Sequence, residues 1–140
     1  MADSFAKASI STEAARRLIA AAEAKAAELG KPFVTAVVDD GGVLKALSRM
    51  DGAPVLSVQV AQDKAYTAVG FGLPTHGWHD FIKDDAPLAA GAPTGIDRLV
   101  VFGGGYPILV NGAVVGGIGV SGGHYSEDME VAEAALAVLS

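Results

Sequence analysis

The chain has no cysteine among its 140 residues. Disulfides and thiolate metal sites are therefore excluded, and a reducing cytoplasmic compartment is the expected one. Nowhere does it hold the ~20 unbroken apolar residues of a membrane helix, because glycines interrupt each apolar run. The opening residues MADSFAKAS lack the apolar centre of a secretory signal, so neither export nor a membrane partner is expected. Clustered positive charge is missing too. The formal net charge is −6, and no Lys/Arg group exists to neutralise phosphates, which excludes nucleic acid as a partner. There is no internal repeat and no linker. The length fits one domain, with residues 1–8 as a loose terminus and 9–140 as the folded unit.

What is present is small and apolar. Hydrophobic residues make up 51% of the chain, many of them alanine, beside 18 glycines. So much apolar surface in so short a chain predicts burial between subunits, hence a homo-oligomer.

The strongest local signal lies between Leu99 and Gly123. Ile108–Val110 and Ala113–Val120 are β-rich runs separated by Asn111-Gly112, a type I′ hairpin signal because both turn residues need positive φ. Both faces of these strands are apolar, which places the hairpin in the middle of a covered sheet. Glycines 103–105, 116–117 and 122–123 remove side chains near the strand ends. Such positions serve close packing of a helix or subunit, or leave bare backbone for a ligand.

Before this stretch, Ser11-Thr12-Glu13 opens a helix running to about Leu29, with Leu18, Ala22, Ala26 and Leu29 as its apolar stripe and Gly30 and Pro32 ending it. Phe33–Val38 and Val43–Arg49 read as a hairpin around Asp39-Asp40-Gly41-Gly42. Val55 to about Val69 reads as a helix with Leu56, Val60, Lys64 and Ala68 on one side, Lys64 either snorkelling or pointed at an anion. Thr75 is expected to cap a short helix, and Ala86–Gly95 to be a Pro/Gly/Ala-rich loop. Ser126 is expected to cap the last helix, whose buried face holds Met129, Ala132, Leu136 and Leu139. The predicted fold is α+β: an antiparallel sheet of about five strands flanked by helices, a profilin-like layered domain.

Several segments together then carry a resemblance. They are Asp39-Asp40-Gly41-Gly42, Arg49-Met50-Asp51-Gly52-Ala53, Lys64-Ala65-Tyr66-Thr67-Ala68, Gly104-Gly105-Tyr106-Pro107-Ile108, Val115–Gly123 and Glu127-Asp128. Across about residues 9–139 the chain resembles the GlcG/HbpS-like family, often labelled haem-degrading. The resemblance implies an α+β homo-oligomer and a small-molecule ligand, with haem or a related tetrapyrrole the best known. It also implies an alternative place beside cobalamin enzymes or in organic-acid and aromatic catabolism. In one branch of the family a histidine on the first helix holds the iron; here that helix has none. Another branch uses an oxygen ligand.

The residues offer three chemistries. His76 and His79, at i and i+3, with Asp80 or His124, are candidates for a divalent metal, for a haem axial ligand, or for acid/base catalysis on a small carboxylate. Ser121-Gly122-Gly123 leads into a helix N-terminus suited to an anion, unless Glu127 and Asp128 already satisfy it. Arg49 and Lys64 add cations, alternatively spent on surface pairs with Asp51 or Asp63. Arg49, Asp51, Lys64, Tyr66, Tyr106, Ser121, Gly122 and Gly123 form the candidate ligand-binding set. An accessory role to a metabolic enzyme, exercised through the oligomer surface, is the remaining alternative.

Overall fold

Ser11 opens the first helix, as its sequence predicts. Its hydroxyl accepts the Ala14 N–H at 3.1 Å, and α1 runs over Thr12–Leu29. Gly30 ends it at φ 70°, a left-handed cap that glycine reaches without a Cβ clash. Ala15, Leu18, Ala22 and Ala26 are buried. This computed structural model describes residues 2–139.

The hairpin β1 (Val34–Asp39) and β2 (Leu44–Arg49) follows, then α2 (Leu56–Phe71), α3 (His76–Ile82) and α4 (Ala86–Gly95). The Asn-Gly hairpin joins β3 (Gly105–Val110) to β4 (Ala113–Ser121), with Asn111 at φ 52° and Gly112 at φ 79°. The chain closes with α5 (Tyr125–Leu136). All strand pairs are antiparallel, in the order β2-β1-β4-β3.

Helices α1 and α5 pack together on one face of the sheet, over Phe33, Val37, Ile108, Ile118 and Val120. Helix α2 lies on the other face. Here the strand glycines find their reason. A methyl at Gly119 would strike the Ala61 carbonyl oxygen, and one at Gly117 the Ala65 carbonyl oxygen. Two bare strand positions meet two alanines, so α2 sits directly on the backbone of β4. Close packing, not a ligand, accounts for these glycines.

The α+β class and the antiparallel sheet are as expected, and its four strands agree roughly with the expected count of about five; Leu99–Phe102 forms no strand. That segment is tied to α2 instead: the Val100 N–H donates to Thr67 Oγ1 and the Thr67 hydroxyl donates to the Arg98 carbonyl, both at 3.0 Å. The second hairpin consequently straddles the sheet, β4 inside and β3 at the edge. Other expectations are corrected. Residues 86–95 form a helix rather than a loop. Asp85 caps it by accepting the Leu88 N–H at 3.2 Å, its first turn tolerates proline, and Ala92 packs with Trp78 and Ile82. Thr75 does not cap α3. Its hydroxyl is buried and accepts the Gly105 N–H at 2.9 Å. Leu56, expected on the buried side of α2, is 82% exposed, because the buried stripe starts one residue later at Ser57. No helix is long and apolar enough to cross a membrane among the described residues.

Candidate functional site

The three glycines 103–105 open space at the end of the sheet, and Lys64 fills it. Its ammonium is fully buried, 2.7 Å from Asp128 Oδ2 and 2.9 Å from the Val120 carbonyl. A Cβ at Gly104 would lie 2.7 Å from Lys64 Nζ. The lysine thus ties α2 to α5 across the sheet end. Burial pulls the Lys64 pKa down and pushes that of Asp128 up, while the charge of each partner acts in the opposite sense. The anion-directed reading of Lys64 is the correct one, but the anion is Asp128, not Asp63 and not a ligand. Asp63 pairs with Arg98 at 2.9 Å.

The expected anion site at the start of α5 is closed by the same residue. Asp128 Oδ1 accepts the Gly123 N–H at 3.1 Å, and Gly122 also donates to this carboxylate. Ser121 is buried, its hydroxyl 3.1 Å from that of Ser57. Ser126 does not cap α5; His124 does. Its Nδ1 accepts the Ser126 N–H at 3.2 Å, while Glu127 returns to the His124 N–H at 3.1 Å. Capping by an imidazole leaves the sequence signature of a capping box with its first member disguised.

The remaining candidates scatter. Arg49 and Asp51 stand exposed at the end of β2 and in the turn after it. Tyr66 lies under the Arg98 guanidinium, whose Cζ is 3.9 Å from the ring centroid. Tyr106 is buried, donates its hydroxyl to Glu133, and is held protonated far above its ordinary value by burial and by that carboxylate.

His76 and His79 are brought together. Both line an open cleft of about 400 Å³ with Asp80, Val101, Phe102, Gly103 and Tyr125. The His76 ring packs 5.5 Å from that of Tyr106. Gly103 lets α3 and α5 close on the cleft floor, since a Cβ there would lie 2.5 Å from Met129 Sδ and 3.4 Å from His76 Cβ. His124 is not in the lining; its ring stacks on Tyr125, 4.1 Å between centroids. The three histidines therefore do not converge. Among the described residues no group of three or more His, Cys, Asp or Glu is placed to hold a metal. Asp80 follows His79 directly on α3, and adjacent helical residues do not face each other. Sequence reasoning missed Val101, Phe102 and Tyr125 as cleft walls, and Asp128 as the partner of Lys64. Only the family motif Glu127-Asp128 pointed near the latter.

A four-stranded antiparallel sheet covered by helices on both faces, with an aromatic cleft flanked by two imidazoles, defines a small ligand-binding α+β domain. The comparisons agree and name the family. The chain belongs to the family described as Haem degrading protein HbpS-like, whose model matches residues 10–137. It is 43% identical over 129 residues to an uncharacterised 15.0 kDa protein from the dhaT-dhaS intergenic region of Citrobacter freundii, covering 92% of this chain and 91% of that protein. Among solved structures, Klebsiella pneumoniae ORFY, of DUF336, matches with a TM-score of 0.92 at 35% identity, over 98% of this chain and 94% of that one. A PduOC:haem complex matches with a TM-score of 0.86 at 32% identity, over 94% and 96%.

Proposed function

We propose that this chain binds haem, or a related tetrapyrrole, in the cleft between α3, the 101–103 segment and the start of α5. The carrying observation is that two exposed imidazoles, His76 and His79, flank a cavity walled by Phe102, Val101 and Tyr125. Imidazole nitrogen is a haem-iron ligand, and aromatic and aliphatic walls suit the flat face of the ring. The relative solved with haem has the same fold. The first helix offers no histidine, so α3 supplies the nitrogen donors here.

An open cleft of about 400 Å³ covers only part of a tetrapyrrole. The other face is left to solvent or to a second copy of the chain. We read the protein as a homo-oligomer in a cytoplasmic setting, and the bare Val55 and Leu56 at the head of α2 support a second copy. A monomeric mass by light scattering overturns the oligomer reading. The catabolic-enzyme alternative needs Arg49 and a histidine around one substrate, and Arg49 is absent from the lining of the histidine cleft.

A hemin titration followed in the visible tests the binding. Wild type is expected to give a saturable, stoichiometric Soret shift. His76→Ala/His79→Ala together abolish the nitrogen-ligated spectrum, and His124→Ala leaves it unchanged. An unaltered spectrum in the double variant overturns this site.

A further inference from the structure

His76 and His79 are three residues apart on α3 and line the same cleft. Side chains at that spacing stand side by side on one face of a helix, roughly 5–6 Å apart at Cβ. The two axial ligands of a haem iron approach from opposite faces of the ring, so one turn of helix cannot supply both. Each cleft therefore offers one of its two imidazoles, and their surroundings differ. Thr75, just before His76, is fully buried and exchanges two hydrogen bonds with Gly105. Its N–H donates to the Gly105 carbonyl and its hydroxyl accepts the Gly105 N–H, both at 2.9 Å. That exchange brings the next residue of each segment, His76 and Tyr106, side by side, with ring centroids 5.5 Å apart and planes at 57°. Tyr106 is itself fixed, buried and with its hydroxyl bound to Glu133 of α5. Gly103 lies against the other side of His76, where a Cβ would be 3.4 Å from His76 Cβ. Among the described residues no aromatic ring packs against that of His79.

A side chain that is already immobilised loses less conformational freedom when it binds. From this packing we infer that His76 is the iron ligand of the cleft and that Tyr106 is a positioning residue, holding the His76 imidazole in place with its ring. The assignment rests on the haem reading of the cleft. Tyr106 is not in the cleft lining and its hydroxyl is spent on Glu133, so it acts through His76 rather than as an oxygen ligand. His79 is left as a wall of the cleft.

Hemin titrations of single variants, followed in the visible, test the ligand. His79→Ala is expected to keep the nitrogen-ligated Soret spectrum and His76→Ala to lose it. Tyr106→Leu should weaken hemin affinity about two- to tenfold, the cost of immobilising one side chain. Tyr106→Phe keeps the ring and should match wild type. NMR of the hemin-free protein reads the positioning itself. The His76 ring protons are expected to be displaced by the neighbouring ring in wild type and in Tyr106→Phe. In Tyr106→Leu they should move to the free-histidine position while those of His79 stay in place. A nitrogen-ligated spectrum that survives in His76→Ala, or is lost in His79→Ala, overturns the ligand assignment. His76 protons unmoved in Tyr106→Leu overturn the positioning role, and so does displacement of both histidines, which marks a purely structural tyrosine. A wild type with no saturable Soret shift overturns the haem reading and this assignment with it, whereas each of the other outcomes leaves haem binding standing.

Discussion

Two polar clusters lie on either side of Phe102, and they are opposites. On one side Lys64 and Asp128 are buried, paired at 2.7 Å and enclosed by glycine backbone, with the lysine ammonium 5.1 Å from the Phe102 ring centroid. On the other side His76 and His79 stand exposed around an open cleft that Phe102 helps to wall. A buried charge must find its partner within the fold, because water is no longer there to solvate it. An exposed imidazole carries no such debt and keeps a free nitrogen for a ligand. The motif that looks most like a binding site, the lysine with its glycine-rich surroundings, is thus a structural tie. The less patterned α3 holds the free chemistry.

Four sets of variants test that contrast. Lys64→Met leaves the buried Asp128 carboxylate without its cationic partner, and is expected to cost about 3–5 kcal/mol in urea unfolding. Lys64→Met/Asp128→Leu should recover most of that loss. A single variant as stable as wild type breaks the comparison on its closed side. Gly119→Ala drives a methyl into the Ala61 carbonyl and should cost about 1–3 kcal/mol. The measurement is the thermal midpoint, and an unchanged midpoint removes the close α2–β4 packing. His124→Ala deletes the α5 cap and should cost about 1 kcal/mol, with His124→Ser restoring it. If instead it alters hemin binding, His124 belongs to the cleft after all. His76→Ala/His79→Ala should shift stability by no more than about 0.5 kcal/mol, since both side chains are exposed. A large loss would place these histidines with the structural cluster.

Much of the fold was legible because its signals are local. Ser11 and Gly30 bound α1 through their own backbone needs, and Asn111-Gly112 fixes a turn that few other residues allow. Residues 86–95 misled because proline and glycine count against a helix, whereas Asp85 capping and the packing of Ala92 on Trp78 outweigh them. His124 misled in another way: imidazole is an uncommon cap, so the hydroxyl of Ser126 drew the assignment two residues along. Of the site, the pairing of His76 with His79 was visible as a helical spacing. Its walls were not, since Val101 and Phe102 lie far along the chain from α3 and come beside it only in the packed fold.

Composition and local pattern determined the α+β class, both hairpins, the first helix, the family and the exclusion of disulfides and thiolate sites. Each depends on residues near one another in the chain, or on residue types alone. The tertiary structure settled which charges are spent. Lys64 and Asp128 are 64 residues apart, and only the stacking of α2 and α5 about the end of the sheet brings them together. The same long-range packing separates His124 from the other two histidines. Contact across that distance is a property of the packed layers, and no local pattern encodes it.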